Sequence, residues 1–200
     1  MEEIKVGEVI ISKQIENTEN FQKFKQIITD KKIKVKVVNK GDRISIEKNL
    51  YFDIIWPNNN DFILENALNN NSIVCKISYN NFSMLFTGDI EEQAEVKILQ
   101  EYEDNIKILK SEILKVAHHG SKTSTTIEFL KAVNPKVALI GVGKNNKFGH
   151  PSNEVIQRLE EKNTKKYRTD EMGEITIKVN KKGAYNIKKW IIIPKLVNNK

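Results

Sequence analysis

Two adjacent histidines, His118 and His119, sit in "LKVAHHGSKTSTT" (114–126), directly behind a short apolar run, in a chain with three histidines in all. The run reads as a strand that presents imidazoles at its tip. Two further apolar runs end in the same way. "SMLFTGD" stops at Asp89, and "KVALIGVG" leads through a short loop to His150. A carboxylate with two or three imidazoles is a ligand set for zinc, manganese or iron. Strand ends are rigid and their loops exposed, so layered folds gather functional groups there. Plainer readings stand beside this one. Asp89 also suits the N-cap of a helix starting at Ile90, with Glu92 placed for a capping box. His150, before Pro151, also suits an ordinary loop. The paired histidines are harder to place in a core, because buried imidazoles need several partners. Ser121 lies near His119, but no GxSxG elbow surrounds it, so a serine hydrolase fits poorly.

The elements that must position these residues follow from periodicity. "GEVIIS" (7–12) reads as a buried strand. "TENFQKFKQIITDKK" (18–32) reads as an amphipathic helix with Phe21, Phe24, Ile27 and Ile28 on one face. "KIKVKVV" alternates as a half-buried strand does, and "RISIEKNLYFDIIW" (43–56) reads as two strands turned near Lys48–Asn49. After an Asn-rich loop with a helical turn in its middle, "SIVCKISY" and "FSMLFTGD" form a hairpin about Asn80–Asn81. Helices are expected over 90–102, after "TSTT" up to Asn134–Pro135, and from Pro151 or Ser152 onward. A last hairpin turns at Lys182–Gly183. No repeat or linker divides the chain, so residues 1–200 are expected to form one α/β domain of layered α+β type.

Composition narrows the class. The chain has 200 residues, 39% hydrophobic and 30% charged, which describes a globular rather than a disordered protein. Its single cysteine, Cys75, rules out an intrachain disulfide and reads as a buried strand residue. No signal peptide is evident, and the longest apolar run near the end, "WIIIP", is far below the ~20 residues of a membrane span. As encoded, the chain is expected to be cytoplasmic. Its +7 charge is concentrated in residues 162–200, where eleven Lys or Arg face three acids. A basic end of this kind either attracts phosphate backbones or is simply a solvated face.

"FSMLFTGDIEEQAE", "LKVAHHGSKTST", "GHPSNEVIQRL" and "YRTDEMGEITI", in this order, resemble the metallo-β-lactamase-fold domain of the DNA-uptake competence protein ComEC family. The opening "VGEVIISKQ" resembles the segment that follows that family's first metal motif, so the resemblance covers essentially the whole chain. It implies an αββα sandwich with a divalent metal, Zn or Mn, at the strand ends. It also implies that Asp89 touches or bridges the metals and that His118 or His119 is a ligand or transition-state donor. His150 would lie in the late site loop as a metal residue with Asp89 and His119, Ser121 and Lys122 would reach a bound phosphate, and Asn71 and Ser72 would lie near the site. The activity implied is in-line attack of metal-activated water on a phosphodiester, DNA being the partner. In that family the domain is attached to a membrane channel and lies outside the cytoplasm.

The family's first metal motif, a His-x-Asp-x-Asp-His or His-x-His-x-Asp-His run, has no counterpart here. All three histidines lie between 118 and 150, and no Asp is followed by His. The expectation is therefore an N-terminally truncated domain, inactive or weakly active alone, with a partial metal site. A second chain that supplies the missing N-terminal half is the partner this implies. The alternative is a non-catalytic nucleic-acid or protein-binding module that uses the basic C-terminal end.

Overall fold

A computed structural model describes residues 4–13 and 18–190. Its centre is a mixed seven-stranded sheet in the order β3 (Arg43–Glu47), β4 (Leu50–Trp56), β5 (Val74–Tyr79), β6 (Phe82–Phe86), β7 (Ile113–Lys115), β8 (Val137–Ile140) and β9 (Lys165–Arg168). Strands β3 to β6 run antiparallel, with tight turns joining β3 to β4 and β5 to β6 and a longer connection through residues 57–73 joining β4 to β5. From β6 to β9 the pairing is parallel, and the connections between these strands carry α3 (Glu92–Glu101), α4 (Ile127–Val133) and α5 (Asn153–Glu161). The other helices are α1 (Glu19–Asp30) and two single turns, α2 (Ala67–Asn70) and α6 (Thr169–Met172).

Alternation along the strands assigns each residue to a layer. Leu85, Leu114 and Ala138 are register partners and enter the main core with Ile90, Ala94, Ile98, Phe129, Leu130, Val155 and Leu159. Their neighbours Met84, Ile113 and Val137 point the other way. There they meet Ile175, Ile177 and Ile187 of the hairpin β10 (Glu174–Val179) and β11 (Tyr185–Trp190). The layers are therefore helices, sheet and hairpin, a mixed α/β fold of layered α+β type. Cys75 is half-buried in β5, and burial pushes its thiol up to about 11, which makes it inert at neutral pH.

The strand read as buried over 7–12 is different. Among the described residues β1 (Glu8–Ile11) pairs only with β2 (Lys34–Val37), in parallel, as a separate two-stranded sheet. β1 is at most half-buried, and β2 is exposed along its whole length. Strand β9 and the turn α6 have no counterpart in the periodicity of the sequence. The basic segment is also less uniform than its composition implies. Lys166 pairs with Glu160, and Arg168 with Asp170 and Glu171. Lys178, Lys181, Lys182 and Lys188 stay exposed on the hairpin. Residues 191–200, with Lys195 and Lys200, lie outside the described residues.

Candidate functional site

Strands β6, β7 and β8 end side by side, and the loops beyond them carry Asp89, His118, His119 and His150. The first loop starts at Thr87, which is fully buried and donates from Oγ1 to the Lys115 carbonyl at 2.6 Å. Gly88 follows at φ +53°, and a Cβ there would lie 2.6 Å from Ser72 Cβ. That contact leaves room only for glycine before Asp89. The cap role for Asp89 does not hold, because the helix begins at Glu92 with Glu91 as N-cap. The left-handed Gly88 turns the chain and delays the helix, which frees the Asp89 carboxylate to face outward.

The second loop is strained. His118, His119 and Gly120 all have positive φ, at 45°, 55° and 85°. Two consecutive non-glycine residues there are costly, a condition that recurs at functional sites. The backbone is pinned on both sides. The His118 N–H donates to the Gly88 carbonyl at 3.1 Å, and the Ser152 N–H donates to the Gly120 carbonyl at 2.8 Å.

The result is a shared mouth. His119 Nδ1 lies 2.6 Å from the Gly141 carbonyl, which can only accept, so Nδ1 carries the proton. In the neutral imidazole Nε2 then presents its lone pair toward Asp89 Oδ1, 3.7 Å away. Two acceptors face one another across a gap suited to a cation, and a carbonyl-anchored imidazole is the usual support of a metal-ligating histidine. The His118 and His150 rings meet edge-on with centroids 5.7 Å apart. Burial, then the charges of His118 and His119, hold the His150 imidazole below its ordinary value. His118 Nδ1 is buried and lacks a hydrogen bond, although Glu91 Oε1 lies 3.3 Å away.

The remaining sequence candidates divide. Ser121 is buried, with its hydroxyl 2.9 Å from that of Thr123, and Lys122 is exposed beside the histidine loop. Asn71 is buried with its amide engaged internally. It donates to the carbonyls of Ile63 and Ala67 at 2.7 and 2.8 Å and accepts from the Ile63 N–H at 3.1 Å. It shapes the loop behind the mouth, and Ser72 is the wall against which Gly88 packs.

Four supporting residues join the site without being singled out by the sequence. Glu91 adjoins His118, and buried Glu95 accepts from the backbone N–H groups of Thr125 and Thr126 at 2.5 and 2.8 Å. Lys115 donates to the Val116 carbonyl at 2.7 Å. Its pKa is lowered by burial and opposed by the charge of Asp89. Asn146 clamps the His150 loop through four hydrogen bonds. Glu91 alone left a trace, standing directly after the Thr-Gly-Asp-Ile run.

As a metal seat the mouth is incomplete. Among the described residues no three His, Cys, Asp or Glu side chains come together to hold an ion. A zinc site needs at least three protein ligands. Asp89 and His119 offer two, a number that suits a hard cation completing its shell with water and substrate oxygens. The residues present do not fit a resident zinc or a two-metal centre.

No protein-family model matches the chain. It is 32% identical over 184 residues to ComE operon protein 3 of Bacillus subtilis (strain 168), covering 92% of this chain and 23% of that protein. It is 35% identical over 136 residues to the uncharacterized protein YcaI of Escherichia coli (strain K12), covering 67% of this chain and 17% of that protein. Competence protein ComA of Neisseria gonorrhoeae matches at 32% over 133 residues, covering 66% of this chain and 18% of that protein. The chain thus spans less than a quarter of the length of these relatives, whose names support a competence-related family. No helix among the described residues is long and apolar enough to cross a membrane.

Proposed function

We propose that the chain is the strand-end part of a DNA-handling, metallo-β-lactamase-type phosphodiesterase module in a competence-related protein, inactive or nearly so by itself. The observation that carries this reading is the His119–Asp89 arrangement, with one imidazole nitrogen anchored on Gly141 and the other turned toward a carboxylate. A divalent cation held there, manganese more readily than zinc, would supply Lewis acidity toward a phosphodiester oxygen. Asp89 and His119 would hold it, with His118 and His150 as imidazole proton carriers beside it. Two ligands fall short of a working centre, so the remaining donors must come from another segment or from a partner chain. The non-catalytic alternative rests on Lys178, Lys181, Lys182 and Lys188. Nucleic-acid binding through them would survive alanine at His118 and His119.

The test is metal content and Mn²⁺ titration on protein purified without chelator, repeated on Asp89→Ala and His119→Ala. The expected result is far less than one zinc per chain and a single weak Mn²⁺ site that either substitution removes. Tightly bound zinc that persists in the double variant would overturn the proposal. So would a complete lack of Mn²⁺ binding by the unaltered chain.

A further inference from the structure

The loop between β8 and α5 carries a feature that holding a cation does not require. Phe148 is 82% exposed, more than any other large apolar side chain among the described residues. Its ring lies nearly parallel to that of His150, with centroids 5.8 Å apart and planes at 18°. Most of the Phe148 ring is therefore open to solvent beside the His150 imidazole. The loop holds it there. Asn146 Oδ1 accepts from the backbone N–H groups of Phe148 and His150 at 3.2 and 3.0 Å. Asn146 Nδ2 donates to the carbonyls of Gly143 and His150 at 3.2 and 2.6 Å. Two exposed lysines lie next to the mouth residues in sequence, Lys147 on the same loop and Lys122 after the histidine pair.

An exposed ring on a hydrogen-bonded loop, beside an imidazole of the mouth and with lysines near in sequence, matches a nucleotide in both its parts. The base can extend the Phe148–His150 stack, and the phosphate is left to the lysines and the mouth. Base–aromatic stacking tolerates any sequence because every base has a π-face. A duplex keeps its bases stacked on each other and has no free face to offer inside its length. We infer that Phe148 is a base-stacking platform that selects unpaired nucleotides at the strand-end mouth. This rests on the phosphodiester reading above and adds the strandedness of the substrate.

The test measures fluorescence anisotropy of a labelled single-stranded oligonucleotide, and of the same sequence as a duplex, on the full chain without added metal. Phe148→Ala is expected to weaken single-strand binding about tenfold and to leave duplex binding unchanged, while Phe148→Trp retains it. Circular dichroism checks that each variant is folded. Equal single-strand affinity in Phe148→Ala would overturn the inference, and so would equal losses for both forms. The two readings fail separately. Phe148-dependent single-strand binding by a chain that takes up no Mn²⁺ keeps the platform and sinks the phosphodiesterase. Mn²⁺ uptake with Phe148-indifferent binding does the reverse.

Discussion

The β1–β2 pair and the β6–β8 strands are similarly rich in aliphatic residues, yet their environments are opposite. Leu85, Leu114, Ala138 and Ile140 are at most 1% exposed, while Val35 and Val37 are 41% and 52% exposed. Parallel strands are normally covered on both faces. The β6–β8 strands have helices on one face and the β10–β11 hairpin on the other. The only helix next to β1 and β2 in sequence is α1. Thr18 caps it, and its apolar face is no more than half-buried. Burial here depends on the supply of covering elements more than on the side chains themselves. The loops that form the mouth grow from the covered sheet, which is why strained residues can be held there.

Substitution at matched positions is the strongest way to break this comparison. Leu114→Ala should cost about 2–5 kcal/mol in urea unfolding, and Val37→Ala no more than about 0.5 kcal/mol. Similar losses at both sites would mean that the small sheet is covered in solution. A narrower contrast lies between two left-handed glycines. Gly120→Ala sets a Cβ 2.6 Å from Pro151 Cβ at φ +85°, whereas Gly41→Ala at φ +90° meets nothing within 4 Å. Strain and clash together should cost about 2–3 kcal/mol at Gly120, and backbone strain alone about 1 kcal/mol at Gly41. Thermal unfolding of the two variants measures the difference.

The smallest expected effect is a pH slope. The unfolded chain protonates His150 near the ordinary 6.5, and the folded chain only at lower pH. Its contribution to stability is therefore complete above about 6.5. It falls away as pH drops through that value and on through the folded one. Burial also raises the Glu95 carboxyl, so the contribution of His150 is read from the difference between the unaltered chain and its variant. Urea unfolding between pH 5 and 8 should show a shallower slope in His150→Gln, and an unchanged slope would place the perturbation elsewhere.

Much of the scaffold was readable from pattern and turn chemistry. The hairpin turned at Asn80–Asn81 is there, and so are the helix starts at Thr126 and Ser152, whose hydroxyls accept from Phe129 and Val155 N–H groups. β9 was not readable, because "KKYR" buries only Tyr167 and becomes a strand by pairing with β8. The aliphatic run of β1 suggests burial because a sequence shows what a strand can pack against and not what covers it. At the mouth, the convergence of Asp89 with the three histidines could be anticipated from strands that end in polar residues. The Gly141 carbonyl that sets the His119 tautomer lies 22 residues away, at a distance in sequence that no local pattern crosses. Asn146 is one asparagine in an Asn-rich chain, and only the loop's geometry singles it out.

The bonds from His118 to Gly88 and from Ser152 to Gly120 tie three loops into one rim. Displacing one of these loops strains the bond to its neighbour, so a change made in one loop is passed to the next. Altering what this mouth accepts therefore means treating the three loops as a linked set.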